Sequence, residues 1–252
     1  MIAAATQASP AEWAILGAAL LALPFYIQRV VRAPSADRPA LANALDAVWP
    51  VPMALMFFAL NMMLIMVVAR SAARSPGMAR AALAADVLLA LALWGWGMRR
   101  ITCVRVRPAH AILLGLLTML AALPVVYGIN YIQQFIFGAQ PEQEAVRLLR
   151  LGGDGTLELA FMAIAVAPLT EELVFRGLLY NGIRRAQSPR TALLVTSLVF
   201  GLVHAASPAA VIPMIVLGLF LATLMERTGS LLACFVAHAA FNTLTVVALF
   251  LG

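Results

Sequence analysis

Runs of about twenty apolar residues recur along almost the whole chain, separated by short connections that carry arginine. A helix of that length covers the hydrocarbon core of a bilayer, and eight stretches qualify: 13–31, 50–69, 81–98, 109–136, 156–183, 191–206, 208–226 and 230–251. Without water to bond the backbone, such segments must satisfy their own N–H and C=O groups, which a helix does and an isolated strand does not. The predicted fold is therefore all-α, a polytopic transmembrane helical bundle of about eight transmembrane helices forming one integral-membrane domain over 1–252. The sixth stretch is short, and Pro208 and Pro213 punctuate the early part of the seventh. The polar connection 138–156 is expected to carry a short interfacial helix, and the first apolar run, which lacks a basic segment before it, to be a retained helix.

Composition agrees. Apolar residues make up 63% of the chain and charged ones 11%, against about half and a quarter in soluble domains. All 17 basic residues are arginine, and the net charge is +6. They stand in small clusters between apolar runs, which argues against nucleic acid and for loops that fix topology. With eight spans, one set of loops holds Arg29, Arg32, Arg38, Arg99, Arg100, Arg105, Arg107, Arg184, Arg185, Arg190 and Arg227. The other holds Arg70, Arg74, Arg80, Arg147 and Arg150. The richer set is expected in the cytoplasm, with both termini outside it. The Arg-only, Ala-rich composition suggests a bacterial cytoplasmic membrane. Cys103 and Cys234 form neither a disulfide framework nor a metal motif.

Charged residues inside a membrane helix are expensive, about 2.5–3.5 kcal/mol each on insertion scales, and mark function by default. The fifth span contains three, Glu171, Glu172 and Arg176. Glu172 and Arg176 are four apart and meet on one face, where they can neutralise each other. Glu171 points about 100° away and is left without a partner on its own helix, free to exchange a proton. Of the three histidines, His110 reads as interfacial, whereas His204 and His238 fall inside apolar runs. Asn242 lies four residues after His238 and shares its face. Counted from a turn near residue 188, Glu171 and His204 lie at similar depth, roughly 25 Å. Buried polar residues can serve only to join helices. That plain reading suits Asn61, Asp86, Glu158 and Glu226 better than it suits this set.

The three clusters read Glu171-Glu172-Leu173-Val174-Phe175-Arg176, Phe200-Gly201-Leu202-Val203-His204 and His238-Ala239-Ala240-Phe241-Asn242. In that order, on separate helices, they resemble the motifs of the family of CAAX proteases and bacteriocin-processing enzymes, also called the Abi family. The likeness covers a core at about 160–245. It implies an intramembrane endopeptidase that hydrolyses peptide bonds of membrane-associated substrates, CAAX-like or leader peptides, themselves lipidated or not. By the resemblance, Glu171 and His204 activate a water, His238 and Asn242 hold the oxyanion, and Glu172 and Arg176 support the site. A base and two donors are what hydrolysis needs. The expected site is metal-free. Zinc is the alternative, since one Glu and two His make a catalytic ligand set, although Arg176 nearby disfavours a cation. Cys234, four residues before His238, is a weak candidate for a nucleophile. Two non-protease readings stay open: a membrane scaffold or bacteriocin immunity protein of the same fold, and a proton-coupled transporter, for which the sequence shows no repeat. The expected partners are membrane lipids and a peptide or protein substrate.

Overall fold

The computed structural model describes residues 16–36, 106–138, 143–153 and 155–251, with isolated positions between 56 and 92. The expected spans at 50–69 and 81–98 lie largely outside the described residues, as does Cys103. Helix is the only regular structure among the described residues.

We number the helices in chain order. α1 is Leu16–Val31, α2 Pro108–Phe137, α3 Glu144–Leu151, α5 Pro189–Leu202, α6 Pro208–Thr228 and α7 Leu231–Leu251. α4 is a continuous rod over 156–186 in which α-helical turns alternate with the wider π-helical segments Met162–Val166 and Leu173–Tyr180. By length and hydropathy α2, α6 and Leu231–Phe250 of α7 are each able to cross a membrane, and the protein is an integral membrane protein. Large apolar side chains such as Leu113, Phe135, Leu157 and Leu194 turn outward, as they must where the solvent is lipid. α3 is the amphipathic helix expected in the 138–156 connection, and its buried Leu149 clusters with Leu159, Ala160 and Val246.

The sixth span differs from expectation. α5 ends at Leu202, and residues 203–206 form turns with bonds from His204 N to Gly201 O and from Ala205 N to Leu202 O. His204 therefore sits in the α5–α6 turn, not inside a helix. The cause is Pro208 at the start of α6, which disfavours helical geometry at Ser207 and has no N–H to continue the ladder. At about 21 Å, α5 is too short for a full crossing.

The bundle has an arginine-rich end. There the start of α2 lies against the start of α7 at Gly115 and Ala233, and the chain after α1 lies against the end of α6, with Ala36 N donating to Glu226 O and Arg227 to Ala33 O. The end of α4 joins them through Arg184 and Glu226. Arg107, Arg184 and Arg227 are thus gathered at one end. Arg80 meets Glu158 at the far end, beside the start of α4.

Small residues let the helices approach closely. A Cβ added at Gly201 would collide with Ile215 Cγ1 and stand 2.7 Å from Val211 O, while one at Gly218 would stand 3.0 Å from Ser197 Cα. Gly201→Ala is therefore expected to destabilise the protein by about 1–3 kcal/mol, read as a lower Tm in detergent. Gly128→Ala, where nothing lies within 4 Å, should leave Tm unchanged or slightly raised. Equal melting of the two variants would contradict this packing.

Candidate active site

The site is built where α4, α5, α6 and α7 meet. Glu172 and Arg176 form the expected pair, Nη1 to Oε1 at 2.9 Å, and neither side chain is exposed. Arg176 is held on two further sides. Its Nη2 donates to Gly218 O of α6 at 3.3 Å, and its guanidinium carbon lies 4.4 Å from the ring centre of Phe200 on α5. Phe175 meets Phe200 edge-on at 5.1 Å and completes the cage. A guanidinium suits this place because its planar face stacks on rings while its edge bonds a carboxylate.

The same Glu172 oxygen accepts a second bond, from His238 Nδ1 at 2.8 Å. Motif spacing did not indicate this contact, since it joins two helices. It fixes the imidazole: with Nδ1–H committed to Glu172, the other ring nitrogen points toward Glu171, where Nε2 lies 3.9 Å from Oε2. Glu171 thus has no partner on α4 but faces a histidine from α7. A chain of polar groups runs Arg176, Glu172, His238, Glu171, and all four residues are buried.

His204 and Asn242 stand at the margins. His204 Nδ1–H donates to Phe200 O at 2.8 Å, which leaves Nε2 as its free edge. The Phe200 ring packs against both histidines, its centre 5.3 Å from that of His204 and 5.7 Å from that of His238. No hydrogen bond joins His204 to Glu171 among the described residues. Asn242, one turn beyond His238, gives one amide N–H to Ala163 O at 2.8 Å and keeps its second N–H and its carbonyl. That bond ties α7 to the π-helical segment Met162–Val166 of α4.

The longer π-helical segment, Leu173–Tyr180, begins directly after Glu172. π-helical turns are rare and often lie at functional sites. Here the widened turn is supported from below by Asn181, whose Nδ2 donates to both Arg176 O and Gly177 O at 2.9 Å. Cys234 is buried and its thiol donates to Leu221 O at 3.5 Å, as a packing residue does. Among the described residues no three His, Cys, Asp or Glu side chains are grouped so as to hold a metal ion.

A second buried carboxylate, Glu226 at the end of α6, accepts from Tyr180 Oη at 2.6 Å and from Arg184 Nε at 3.3 Å. This cluster fastens α6 to α4 at the arginine-rich end. The pairing at the core is the more demanding one, because losing one partner leaves a buried charge. Arg176→Met should cost about 3–5 kcal/mol of stability, and adding Glu172→Gln to it should recover part of the loss. Thermal melts of the single and double variants measure this; equal loss in both would contradict the pairing.

The first and third motifs thus share one buried polar cluster, and the second packs against it through Phe200; a comparison with known families bears on what they are. Residues 154–244 match the family described as type II CAAX prenyl endopeptidase Rce1-like. The matched stretch contains all three motifs. No curated protein and no solved structure matches the chain significantly. Over that stretch, and at all three motifs it encloses, the chain is similar to the CAAX-protease family.

Proposed function

We propose that this protein is an intramembrane endopeptidase that hydrolyses a peptide bond of a membrane-associated substrate with a water activated by Glu171. The observation that carries the reading is the approach of Glu171 Oε2 to His238 Nε2, with the far nitrogen of that histidine held by Glu172. Glu171 accepts a proton from the attacking water and returns it to the leaving amine. His238, oriented by Glu172 and Arg176, presents Nε2 to the same spot. Asn242 has an amide N–H left for the developing oxyanion. His204 assists the water from the α5–α6 turn, as its motif in the family suggests. A positive Arg176 within the cluster favours a site without a metal ion.

The composition and arginine placement favour a bacterial cytoplasmic membrane, with the arginine-rich end in the cytoplasm. For such a setting the fitting substrates are leader-bearing or otherwise membrane-anchored peptides as well as prenylated CAAX-like ones.

The test is cleavage of quenched peptides, prenylated and unprenylated, by purified full-length protein in nanodiscs. Glu171→Gln and His204→Gln should each lower the rate by about 10²–10⁴-fold, and Asn242→Ala by about 10²–10³-fold, with folding retained. Chelator should leave the rate unchanged. A Glu171→Gln variant as fast as the wild type would overturn the proposal, and activity lost to chelator and restored by zinc would overturn its metal-free form.

A further inference from the structure

A cavity of about 590 Å³ opens at the arginine-rich end, between the chain leaving α1, the start of α5 and the end of α6. It lies apart from the proposed catalytic cluster, at the opposite end of α5 from His204. Its charged lining consists of Arg190, Arg227 and Glu226. Glu226 is spoken for, since its carboxylate takes Tyr180 and Arg184. Among the described residues no carboxylate is paired with either lining arginine. Arg227 bonds only neutral groups, Ala33 O at 2.7 Å and Ser35 Oγ at 3.5 Å, and Arg190 has no partner among the described residues. With Arg184 counted, three guanidinium groups surround one carboxylate.

The rest of the lining is divided. Ser35 and Ser188 supply hydroxyls on one side, and Val31 and Leu193 supply apolar walls that continue into the lipid-facing helices. A cavity whose lining combines cationic and hydroxyl donors with apolar walls matches a ligand with an anionic head and an apolar body. Its position where α1, α5 and α6 begin or end puts it at headgroup depth. Arginine forks suit phosphate oxygens in particular.

We propose that this cavity binds the phosphate of an anionic amphiphile, with Arg190 and Arg227 as its ligands. Two sources share that chemistry, an anionic phospholipid and a free phosphate ester, and they are separable. Full-length protein is purified in detergent and titrated with phosphatidylglycerol, phosphatidylcholine or glycerol 3-phosphate. Retained ligand is read by native mass spectrometry and stabilisation by Tm. Wild type is expected to retain phosphatidylglycerol over phosphatidylcholine, and Arg190→Gln to lose about fivefold of that affinity, the worth of one arginine near an anionic headgroup. Arg227→Gln should act alike. Because Arg227 also holds Ala33, Arg190→Gln decides the matter if Arg227→Gln fails to fold. Arg107→Gln removes the same charge at the same end but outside the cavity, and should leave retention unchanged. Stabilisation by glycerol 3-phosphate that depends on Arg190 would support the site with a soluble ligand as its source. Retention by Arg190→Gln equal to wild type, or an equal loss in Arg107→Gln, would overturn the proposal.

Discussion

One carboxylate oxygen, Oε1 of Glu172, accepts from both Arg176 and His238, and the packing of α4, α5, α6 and α7 depends on that shared bond. A charge in the middle of an apolar bundle is tolerated only when it is paired and otherwise bonded. Glu172 and Arg176 neutralise each other within α4. Arg176 then extends the pairing to Gly218 on α6 and to Phe200 on α5, while Glu172 extends it to His238 on α7. Four helices are thereby held in register around one ion pair. The pair is poor as a source of net stability, because both charges were taken out of water to form it. Its value lies in specificity: a shift of any of these helices by one residue would leave a buried charge or imidazole unmatched.

The same bond orients the imidazole. By holding Nδ1–H of His238, Glu172 decides which nitrogen faces Glu171. Glu171 is left with an imidazole beside it and no guanidinium, so the two adjacent glutamates differ in environment although they are neighbours in the chain. This difference in surroundings comes from helix geometry, since consecutive residues point about 100° apart. The π-helical segments widen the turns on either side and turn backbone carbonyls to side chains, Asn181 below and Asn242 above.

What could be read from sequence was whatever lies within a single helix. The apolar runs give α2, α6 and α7 almost to the residue, and the i, i+4 spacing gives the Glu172–Arg176 pair. What could not be read depends on how helices are rotated against one another. The Glu172–His238 bond spans 66 positions, and nothing in the spacing of either motif chooses Glu172 over Glu171 as its acceptor. Phe200 was legible as a motif residue but not as the ring that packs against Arg176, His204 and His238. Glu226 looked like an unremarkable acid near a span end, because its partners Tyr180 and Arg184 come from another helix. The placement of His204 in a turn had a local signal, Pro208 four residues on, which apolar character outweighed in the reading of a continuous span.

Glu172 fixes His238 with a proton on Nδ1 and so turns Nε2 toward Glu171. This can be measured by nitrogen NMR of histidine-labelled protein in nanodiscs, with only three histidines to assign and His238→Gln to identify the signal. A protonated, strongly hydrogen-bonded Nδ1 is expected in wild type, with that signature lost in Glu172→Gln and kept in Glu171→Gln. An unprotonated Nδ1 in wild type, or a signal indifferent to Glu172→Gln, would contradict it.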